Sequence, residues 1–214
     1  MTAPLSPQAF ADRLAALAQG RPARLIAALA GPPGAGKSTI AEAVAARLNA
    51  GAPGRCAVLP MDGFHFDDLV LVPRGDRPRK GAPHTFDVGG LAALLMRLRA
   101  NTEAEIAAPV FDRTIEIARA GARIIPQSVP ILLVEGNYLL LRAAPWSGLR
   151  PLFDVTAMIA VAPQTLRARL GARWREAGMT EAETLAKLEE NDLPNGRLVT
   201  AESVTPDLWV DGMA

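Results

Sequence analysis

Uninterrupted apolar runs alternate along this chain with stretches in which apolar residues recur every three or four positions. The runs have the length of buried strands; they are Leu25–Ala30, Cys56–Leu59, Pro130–Gly136 and Val155–Val161. The periodic stretches predict helices; these are Ser6–Gln19, Ser38–Asn49, Val88–Ala100, Thr165–Gly178 and Glu181–Leu193. Strands that alternate with helices predict an α/β fold, and Pro206–Val210 is expected to form a last edge strand.

Two segments depart from this pattern. Val72–Phe86 is rich in proline, glycine and arginine, which is typical of a solvated loop, although its cations are also able to grip an anionic substrate. Asn191–Arg197 contains a proline and a glycine and is expected to break the helix that precedes it.

Composition limits the class of protein. Of the 214 residues, 50% are hydrophobic and 21% are charged, and the formal net charge is +1. This balance indicates one globular domain over residues 1–214 and gives no argument for a nucleic-acid or membrane partner. The single cysteine, Cys56, fits a reducing compartment, so we expect the protein in the cytoplasm.

The segment after the first apolar run has the phosphate-loop pattern, two glycines separated by four residues and followed by Lys and Ser. Its members are Gly31, Pro32, Pro33, Gly34, Ala35, Gly36, Lys37, Ser38 and the following Thr39. Glycines let the backbone wind around a di- or triphosphate with its N–H groups inward. Lys37 is expected to reach the phosphates and Ser38 to ligate Mg²⁺. The alternative is a Gly-Pro turn between a strand and a helix.

Acidic residues follow two of the apolar runs, at the strand ends where ligands bind in open α/β sheets. Asp62 is placed to accept a proton from an incoming hydroxyl as a general base, or it is a turn residue before Gly63. Glu135 is expected to reach Mg²⁺ directly or through water, beside the substrate. His65 is either a substrate contact or a structural histidine.

Residues 109–126 contain a candidate hairpin. Thr114–Ala118 and Ala122–Ile125 are β-leaning, and Arg119–Gly121 between them suggests the turn. A hairpin inserted between sheet strands is often a lid or a substrate platform. Arg113 and Glu116 are its candidate substrate contacts, with surface charges as the alternative.

Two arginines of the Thr165–Gly178 helix are four positions apart and therefore share a face. Arg169 and Arg173 are able to close on a triphosphate and neutralise charge in the transition state. The alternative is a solvated helix in which Glu176 pairs with them. Asp87 is expected to cap the Val88–Ala100 helix, and a contact with a substrate hydroxyl is the rival interpretation.

Taken together, these motifs resemble the group of P-loop kinases that contains uridine kinase, phosphoribulokinase and bacterial pantothenate kinase. The matching segments are Gly31–Thr39, Met61–Phe64, Phe86–Asp87, Pro109–Arg113, Val134–Gly136 and the Arg169/Arg173 pair. More narrowly, Met-Asp-Gly-Phe-His, Glu-Gly-Asn-Tyr-Leu-Leu and Asn-Asp-Leu-Pro-Asn-Gly-Arg are similar to a bacterial branch labelled fructokinase, or kinase of a fructose transport system.

The resemblance implies a P-loop NTPase fold with a parallel five-stranded sheet flanked by helices, and ATP with Mg²⁺ as cofactors. It implies that Asp62 is the catalytic base, that residues 163–180 form a lid with Arg169 and Arg173, and that residues 109–126 form a small substrate hairpin. It also suggests that Asn195 and Arg197 lie beside adenine.

The expected function is ATP-dependent phosphorylation of a hydroxyl group on a small molecule, with a sugar, fructose, favoured as the acceptor. Uridine kinases tend to place a histidine where Glu116 stands here, and a carboxylate suits a polyhydroxylated ligand. A nucleoside or pantothenate is the alternative acceptor, and a non-catalytic nucleotide-binding regulator is the alternative from another class. The chain is expected to act as a monomer or a homodimer.

Overall fold

The computed structural model describes residues 3–212, in which strands and helices alternate as the apolar pattern predicts. Seven strands occur within these residues: β1 (Leu25–Ala30), β2 (Cys56–Pro60), β3 (Glu105–Asp112), β4 (Ile117–Pro126), β5 (Ile131–Gly136), β6 (Val155–Ala160) and β7 (Leu208–Asp211). The same residues form seven α-helices: α1 (Pro7–Ala18), α2 (Lys37–Ala50), α3 (Asp68–Arg74), α4 (Val88–Ala100), α5 (Pro163–Glu176), α6 (Glu181–Lys187) and α7 (Leu193–Glu202).

Five of the strands form a parallel sheet in the spatial order β2–β5–β1–β6–β7. β1 lies at its centre, with Leu25 beside Ile131 of β5 and Ala27 beside Val155 of β6. Every residue of β1 and of β5 is buried, which explains why these strands appear in the sequence as unbroken apolar runs. The predicted α/β fold and its five-stranded parallel sheet are confirmed.

Helices cover both faces of this sheet and form two hydrophobic cores. One core packs Phe10 and Leu14 of α1 with Ile40 and Val44 of α2 against the sheet. The other contains the leucines of α4 and residues of the β3–β4 hairpin. Because side chains alternate across a strand, β1 contributes Leu25, Ala27 and Leu29 to the first core and Ile26, Ala28 and Ala30 to the second.

A β-hairpin is present, as predicted, but its strands and its turn lie at other positions than the sequence indicated. The strands are β3 and β4, so the tip consists of residues 113–116 and not of Arg119–Gly121. Glu116, at the tip, adopts a left-handed backbone conformation with φ of 54°. Gly121 also has positive φ, 67°, but it lies inside β4, where the pairing with β3 shifts register. The glycine therefore marks a bulge and not the turn.

The predicted break at Asn191–Arg197 is also wrong, because the chain stays helical there. α6 continues into a π-helical turn, Leu188–Asp192, and then directly into α7. Pro194 occupies the first turn of α7, where its missing N–H and fixed φ are tolerated. The Pro-Gly signal therefore marks the start of a helix.

The Val72–Phe86 segment, predicted as a loop, is partly helical. α3 ends at Arg74 with Pro73 inside it, and two short 3₁₀ turns follow, Arg77–Arg79 and Pro83–Thr85.

No helix of residues 3–212 combines the length and the apolar character that a membrane crossing requires.

A buried arginine connects three segments behind the sheet. The side chain of Arg24 is 4% exposed and donates to the carbonyl oxygens of Leu98, Pro126 and Val129 at 2.8–2.9 Å, and to that of Gln127 at 3.3 Å. It thereby ties the end of α4 and the end of the hairpin to the start of β1.

Candidate active site

The phosphate loop fills the space between the end of β1 and the start of α2. Gly34 and Gly36 have φ of 78° and 85°, a region that side chains with a Cβ rarely adopt. A Cβ on Gly34 would also lie 2.8 Å from Cγ of Leu170 in α5. The glycine therefore permits both the turn of the loop and the close approach of α5.

Two side chains at the start of α2 are fixed by groups of the loop and of β5. Lys37 Nζ donates to the carbonyl oxygen of Pro32 at 3.0 Å, and Ser38 Oγ donates to Glu135 Oε1 at 2.9 Å. Burial lowers the pKa of Lys37, while the nearby carboxylates of Glu135 and Asp62 act in the opposite direction. The arrangement therefore holds one cation close to two carboxyl groups.

Asp62 and Glu135 meet because their strands are neighbours. Pro60 of β2 pairs with Glu135 of β5 in a parallel register, and Asp62 follows in the 3₁₀ turn Met61–Phe64. Burial raises the pKa of Glu135, and the negative charge of Asp62 raises it further. Arg113, at the hairpin tip, donates from Nη2 to Asp62 Oδ2 at 2.8 Å, so the hairpin is joined to this acidic pair.

These groups open into a cavity of about 360 Å³. Its walls include most of the site residues predicted from sequence, namely Pro33, Gly34, Gly36, Lys37, Ser38, Thr39, Asp62, His65, Arg113, Glu116, Glu135, Arg169, Arg173 and Asn195. Gly31, Pro32 and Ala35 are buried in the loop behind this wall. The chain has three lysines, Lys37, Lys80 and Lys187, and all three line the cavity.

Three aromatic rings form one wall of the cavity. His65 lies against Phe86 and Phe111, with ring centroids 4.0 and 4.6 Å apart. Its Nδ1 is 2.8 Å from the carbonyl oxygen of Asp62, and because a carbonyl only accepts, Nδ1 carries the hydrogen. Burial lowers the pKa of His65, which favours the neutral ring.

Two cations of the arginine-rich segment, Arg77 and Lys80, form ion pairs. Arg77 Nε and Lys80 Nζ each contact a different oxygen of Asp68 at 2.6 Å. Arg77 Nη2 also contacts Glu116 Oε2 at 2.8 Å, and Lys80 Nζ donates to the backbone oxygen of Glu116 at 2.8 Å. The hydrogen bond from Lys80 is the largest cause of a lowered pKa at Asp68. This segment is therefore fastened to the hairpin tip.

α5 forms the opposite wall. Arg169 and Arg173 both line the cavity, as their shared helix face predicts. Arg169 Nη1 donates to the carbonyl oxygen of Gly212 at 3.0 Å, and burial lowers the pKa of Arg173. Trp174 Nε1 donates to Asp192 Oδ2 at 2.6 Å, which joins α5 to the π-helical turn.

Besides Gly31, Pro32 and Ala35 of the loop, two predicted site residues, Asp87 and Arg197, are not part of the cavity wall. Asp87 Oδ1 accepts from the backbone N–H of Gly90 at 2.8 Å, and its side chain is exposed, so the structure supports the capping interpretation over the substrate contact. Arg197 is exposed on α7, one turn beyond Leu193, and is not among the residues that line the cavity.

The structure also adds wall residues that the sequence analysis did not single out. They are Phe86, Phe111, Asn137, Leu170, Trp174, Lys187, Asn191 and Asp192, together with Arg77, Lys80 and Gly81 of the arginine-rich segment. For the last three, the clustering of cations next to glycine and proline was a signal. Phe86, Phe111, Asn137, Asn191 and Asp192 lie in segments that carry the family resemblance, but nothing in those segments gave them a role of their own. No local pattern marks Leu170, Trp174 or Lys187.

A second cavity of about 380 Å³ adjoins the first. The two cavities share five wall residues, Ser38, Asp62, Phe111, Arg113 and Glu135. Glu42 and Arg123 contribute charged groups to the second cavity alone, and Arg123 donates to the carbonyl oxygen of Val58. Asp62 is therefore reachable from two spaces.

Comparison with known proteins places this arrangement among kinases. No protein-family model matches the chain. A protein named "putative uridine kinase" from Schizosaccharomyces pombe is 35% identical over 193 residues, covering 86% of this chain and 82% of that protein. An uncharacterized protein of Escherichia coli, YggC, is 35% identical over 201 residues and covers 92% and 82%. The crystal structure of a "putative fructose transport system kinase" from Silicibacter sp. TM1040 is 38% identical, with a TM-score of 0.87 over 96% and 98% of the two chains.

Proposed function

Because this chain belongs to the P-loop kinase family that includes the uridine kinases, we propose that it transfers the γ-phosphoryl group of ATP to a hydroxyl of a small sugar, with fructose favoured. The observation that carries this proposal is the Asp62 carboxylate, which lies in the same cavity as Lys37 and Ser38 of the phosphate loop. An acceptor hydroxyl and a γ-phosphate can therefore meet beside a base.

The nucleotide side of the cavity supplies positive charge and backbone donors. The glycine loop presents N–H groups to the phosphates, and Lys37 exchanges its contact with the Pro32 carbonyl for one with the β- and γ-phosphates. Arg169 and Arg173 face the loop from α5 and stabilise the charge that spreads over the transferred group. α5 thus acts as the lid of the site.

The donor set next to the loop fits Mg²⁺. Ser38 Oγ and the Glu135 carboxylate are 2.9 Å apart, and both are hard oxygen donors of the kind that Mg²⁺ takes beside phosphates and water. Ser38 and Glu135 would hold the ion, which would neutralise part of the negative charge of the nucleotide's phosphates.

Asp62 removes the acceptor's proton as its oxygen approaches the γ-phosphorus. The Asp62 carboxylate is 25% exposed on its side chain and is oriented by Arg113, so one oxygen is held while the other accepts. The O–H bond breaks toward Asp62, a bond forms from the acceptor oxygen to phosphorus, and ADP leaves with the electron pair of the old P–O bond.

The acceptor side suits a neutral ligand with many hydroxyl groups. Arg77, Lys80 and Glu116 are already paired with one another or with Asp68, so no unbalanced charge calls for an anionic acceptor. The N–H groups and carboxylate oxygens of these pairs are polar groups of both kinds, and a hydroxyl group both donates and accepts. The ring wall around His65 offers an apolar face to the C–H side of a sugar. These features favour the first cavity over the second as the acceptor site.

A nucleoside is the second candidate acceptor, because a relative is named as a uridine kinase. The ring wall of His65, Phe86 and Phe111 could stack a pyrimidine as well as a sugar.

The buried thiol of Cys56, which forms no disulfide, fits a reducing compartment, so we propose the cytoplasm as the place of action.

A product screen tests the proposal. The purified protein is incubated with ATP and Mg²⁺ and with separate panels of sugars, nucleosides and pantothenate, and phosphorylated products are identified by mass spectrometry. We expect a sugar phosphate, with fructose the best substrate. A nucleoside monophosphate as the main product would replace the sugar by the second candidate, and no product in any panel would refute the acceptor classes named here.

Asp62→Asn tests the role of the base in the same assay. The amide keeps the size of the side chain and removes the basic oxygen, so acceptor-dependent ADP release should fall by about 10²–10⁴-fold. The affinity for ATP with Mg²⁺, measured by calorimetry, should change little. Equal losses in both measurements would assign Asp62 to the metal site, and no loss in either would make it a turn residue.

A further inference from the structure

The π-helical turn Leu188–Asp192 lies between the lid helix and the acceptor side of the cavity. Its last two residues bond to different parts of the site. Asn191 Nδ2 donates to the carbonyl oxygen of Lys80 at 3.1 Å, whereas Asp192 accepts from Trp174 of α5. A π-helical turn widens a helix locally, and such turns occur often at functional sites. Here the widened turn contacts both α5 and the arginine-rich segment.

A second amide extends this contact toward the phosphate loop. Asn195 Nδ2 donates to Asn191 Oδ1 at 3.1 Å, and each of these residues is 3% exposed. Gly196 follows, and a Cβ placed on it would lie 3.7 Å from Cβ of Pro32. The two amides therefore form a directed chain from a helix that packs on the phosphate loop to the backbone of Lys80.

The far end of this chain is the point to which the acceptor side is fastened. Lys80 holds Asp68 and the hairpin tip through its ammonium group. The next carbonyl, that of Gly81, accepts from the Tyr138 hydroxyl at 2.6 Å. A shift of the Lys80 backbone would therefore move the pairs that surround the acceptor.

We propose that Asn191 is a positioning residue that fixes the acceptor segment, residues 77–85, relative to the phosphate loop. Through Asn195 and Lys80, nucleotide binding at the loop restrains the acceptor segment. The kinetic consequence rests on the proposed function, whereas the restraint itself is measurable with a nucleotide alone.

Asn191→Asp isolates this bond. The carboxylate still accepts from Asn195, but its second oxygen faces the Lys80 carbonyl, so two acceptors meet without a hydrogen. Asn49→Asp is the matched control, because Asn49 Nδ2 donates to the carbonyl oxygen of Cys56 at 3.0 Å and Asn49 lies outside the cavity wall. Asn195→Ala removes the other hydrogen bond of this pair, the one between Asn195 and Asn191. It is the variant to measure if Asn191→Asp does not fold.

Hydrogen exchange measured by mass spectrometry reports the restraint. In the wild type and in Asn49→Asp, the non-hydrolysable analogue AMP-PNP with Mg²⁺ should slow amide exchange both in residues 31–38 and in residues 77–85. In Asn191→Asp and Asn195→Ala, protection should remain in residues 31–38 and be lost in residues 77–85. Protection of residues 77–85 in the variants, or its absence in the wild type, would overturn the proposal.

Steady-state kinetics with D-fructose give a second readout. Asn191→Asp should raise KM for fructose about tenfold, as expected for one lost buried hydrogen bond, and leave KM for ATP within about twofold. Lowering the pH from about 8 to about 5.5 should reverse part of this defect, because the introduced carboxyl group regains a donor when it is protonated. Lys80, Lys187, Asp192 and Arg173 are charged wall residues near this turn, and they are unchanged in all variants.

The two readouts separate this proposal from the choice of acceptor. If no variant and no wild-type protein phosphorylates fructose while the exchange pattern is as expected, the positioning role stands and fructose is withdrawn as the substrate. If Asn191→Asp raises KM for ATP and KM for fructose equally at every pH, the residue is a general structural support and the proposal is wrong.

Discussion

Lys37 and Glu135 carry opposite charges, and burial disfavours the charged form of each side chain. The pKa of Lys37 is lowered and that of Glu135 is raised, and in each case desolvation is the largest cause. The Coulomb attraction between the two groups partly offsets the pKa shift that burial causes in each of them. A bound triphosphate with its metal ion would provide stronger partners for both, so the site gains more from its ligand than an exposed pair would.

Lys37→Ala should reduce turnover by about 10²–10³-fold, because one preorganised stabiliser of the phosphate charge is lost. Arg47→Ala is the control: Arg47 is on the same helix but pairs with Asp12 at the surface, and its replacement should leave turnover unchanged. The measurement is kcat under saturating ATP. Equal activity of Lys37→Ala and wild type would exclude the loop as the catalytic phosphate site.

Asp192 gives a pH-dependent prediction about stability. Burial raises its pKa in the folded protein, so its contribution to stability is fully present below the unfolded pKa and is lost as the pH rises through the folded pKa. Asp192→Asn keeps an oxygen that can accept from Trp174 and removes the charge. The free energy of unfolding of the variant, relative to wild type, should therefore increase as the pH rises from about 4 to about 8.

Urea denaturation over this pH range measures the effect. Glu103→Gln serves as a control of opposite sign, because the hydrogen bond from Arg97 lowers the pKa of Glu103, so that variant should lose stability relative to wild type as the pH rises. A flat difference for Asp192→Asn would show that its carboxyl group is ionised without penalty in the folded state.

The sequence predicted the residues that follow strands and missed those joined across the fold. Lys37, Asp62 and Glu135 could be assigned because a motif or a strand end marks each one, and the ends of parallel strands share one edge. The bond between Asn191 and Lys80 spans 111 positions, and no local pattern encodes it. The pairing of Lys80 with Asp68 was hidden for another reason, since a run of cations looks solvated whether or not acids approach it.

At the scale of elements, α5 carries two arginines in the cavity wall, Arg169 and Arg173, and a third, Arg167, in a surface ion pair. Arg173→Ala should lower kcat by about 10²-fold or more and change ADP affinity little, because ADP lacks the transferred group that the arginine stabilises. Arg167→Ala is the control from the same helix, since Arg167 pairs with Glu189 at 2.6 Å with half of its side chain exposed.

Steady-state kinetics and ADP calorimetry on both variants distinguish the possible roles. Loss of ADP affinity with unchanged kcat in Arg173→Ala would make this residue a ground-state clamp. If Arg167→Ala and Arg173→Ala have the same kcat and the same ADP affinity, the helix face on which the arginine lies does not determine its effect on turnover.

Two elements were misplaced because glycine and proline have more than one structural use. In the hairpin, Gly121 serves a bulge in β4, while Glu116 adopts the left-handed conformation that a glycine would ordinarily supply. In the last helical region, Pro194 begins α7 directly after the π-helical turn. Composition alone does not distinguish a residue that ends a helix from one that starts the next helix.

At the scale of the whole molecule, the sheet was the most predictable feature. β1, β5 and β6 are buried along nearly their full length, so each appears as an apolar run that needs no partner to be recognised. Their order in the sheet and the packing of α5 onto Gly34 depend on contacts between distant segments. These contacts could be anticipated only through the resemblance to known kinases.

Arg24 provides a test of how the back of the molecule is held together. Arg24→Lys retains the charge but loses the forked geometry that reaches four carbonyl oxygens. We expect a loss of about 2–4 kcal/mol in the free energy of unfolding, measured with urea. Arg97→Lys, at an exposed pair with Glu103, should leave the free energy of unfolding almost unchanged, because exposed ion pairs contribute little to stability. Similar values for both variants would show that the buried network contributes little.

The location of all three lysines in the cavity wall has a practical consequence for covalent labelling. Apart from the terminal amino group, the amines that an acylating reagent can modify all belong to residues of this cavity wall, although most of the protein's positive charge lies elsewhere on arginine. The lowered pKa of Lys37 increases the fraction of its nucleophilic, neutral form at mildly alkaline pH. Mass added by such a reagent, with and without bound nucleotide, therefore gives a footprint of cavity occupancy on the unmodified sequence.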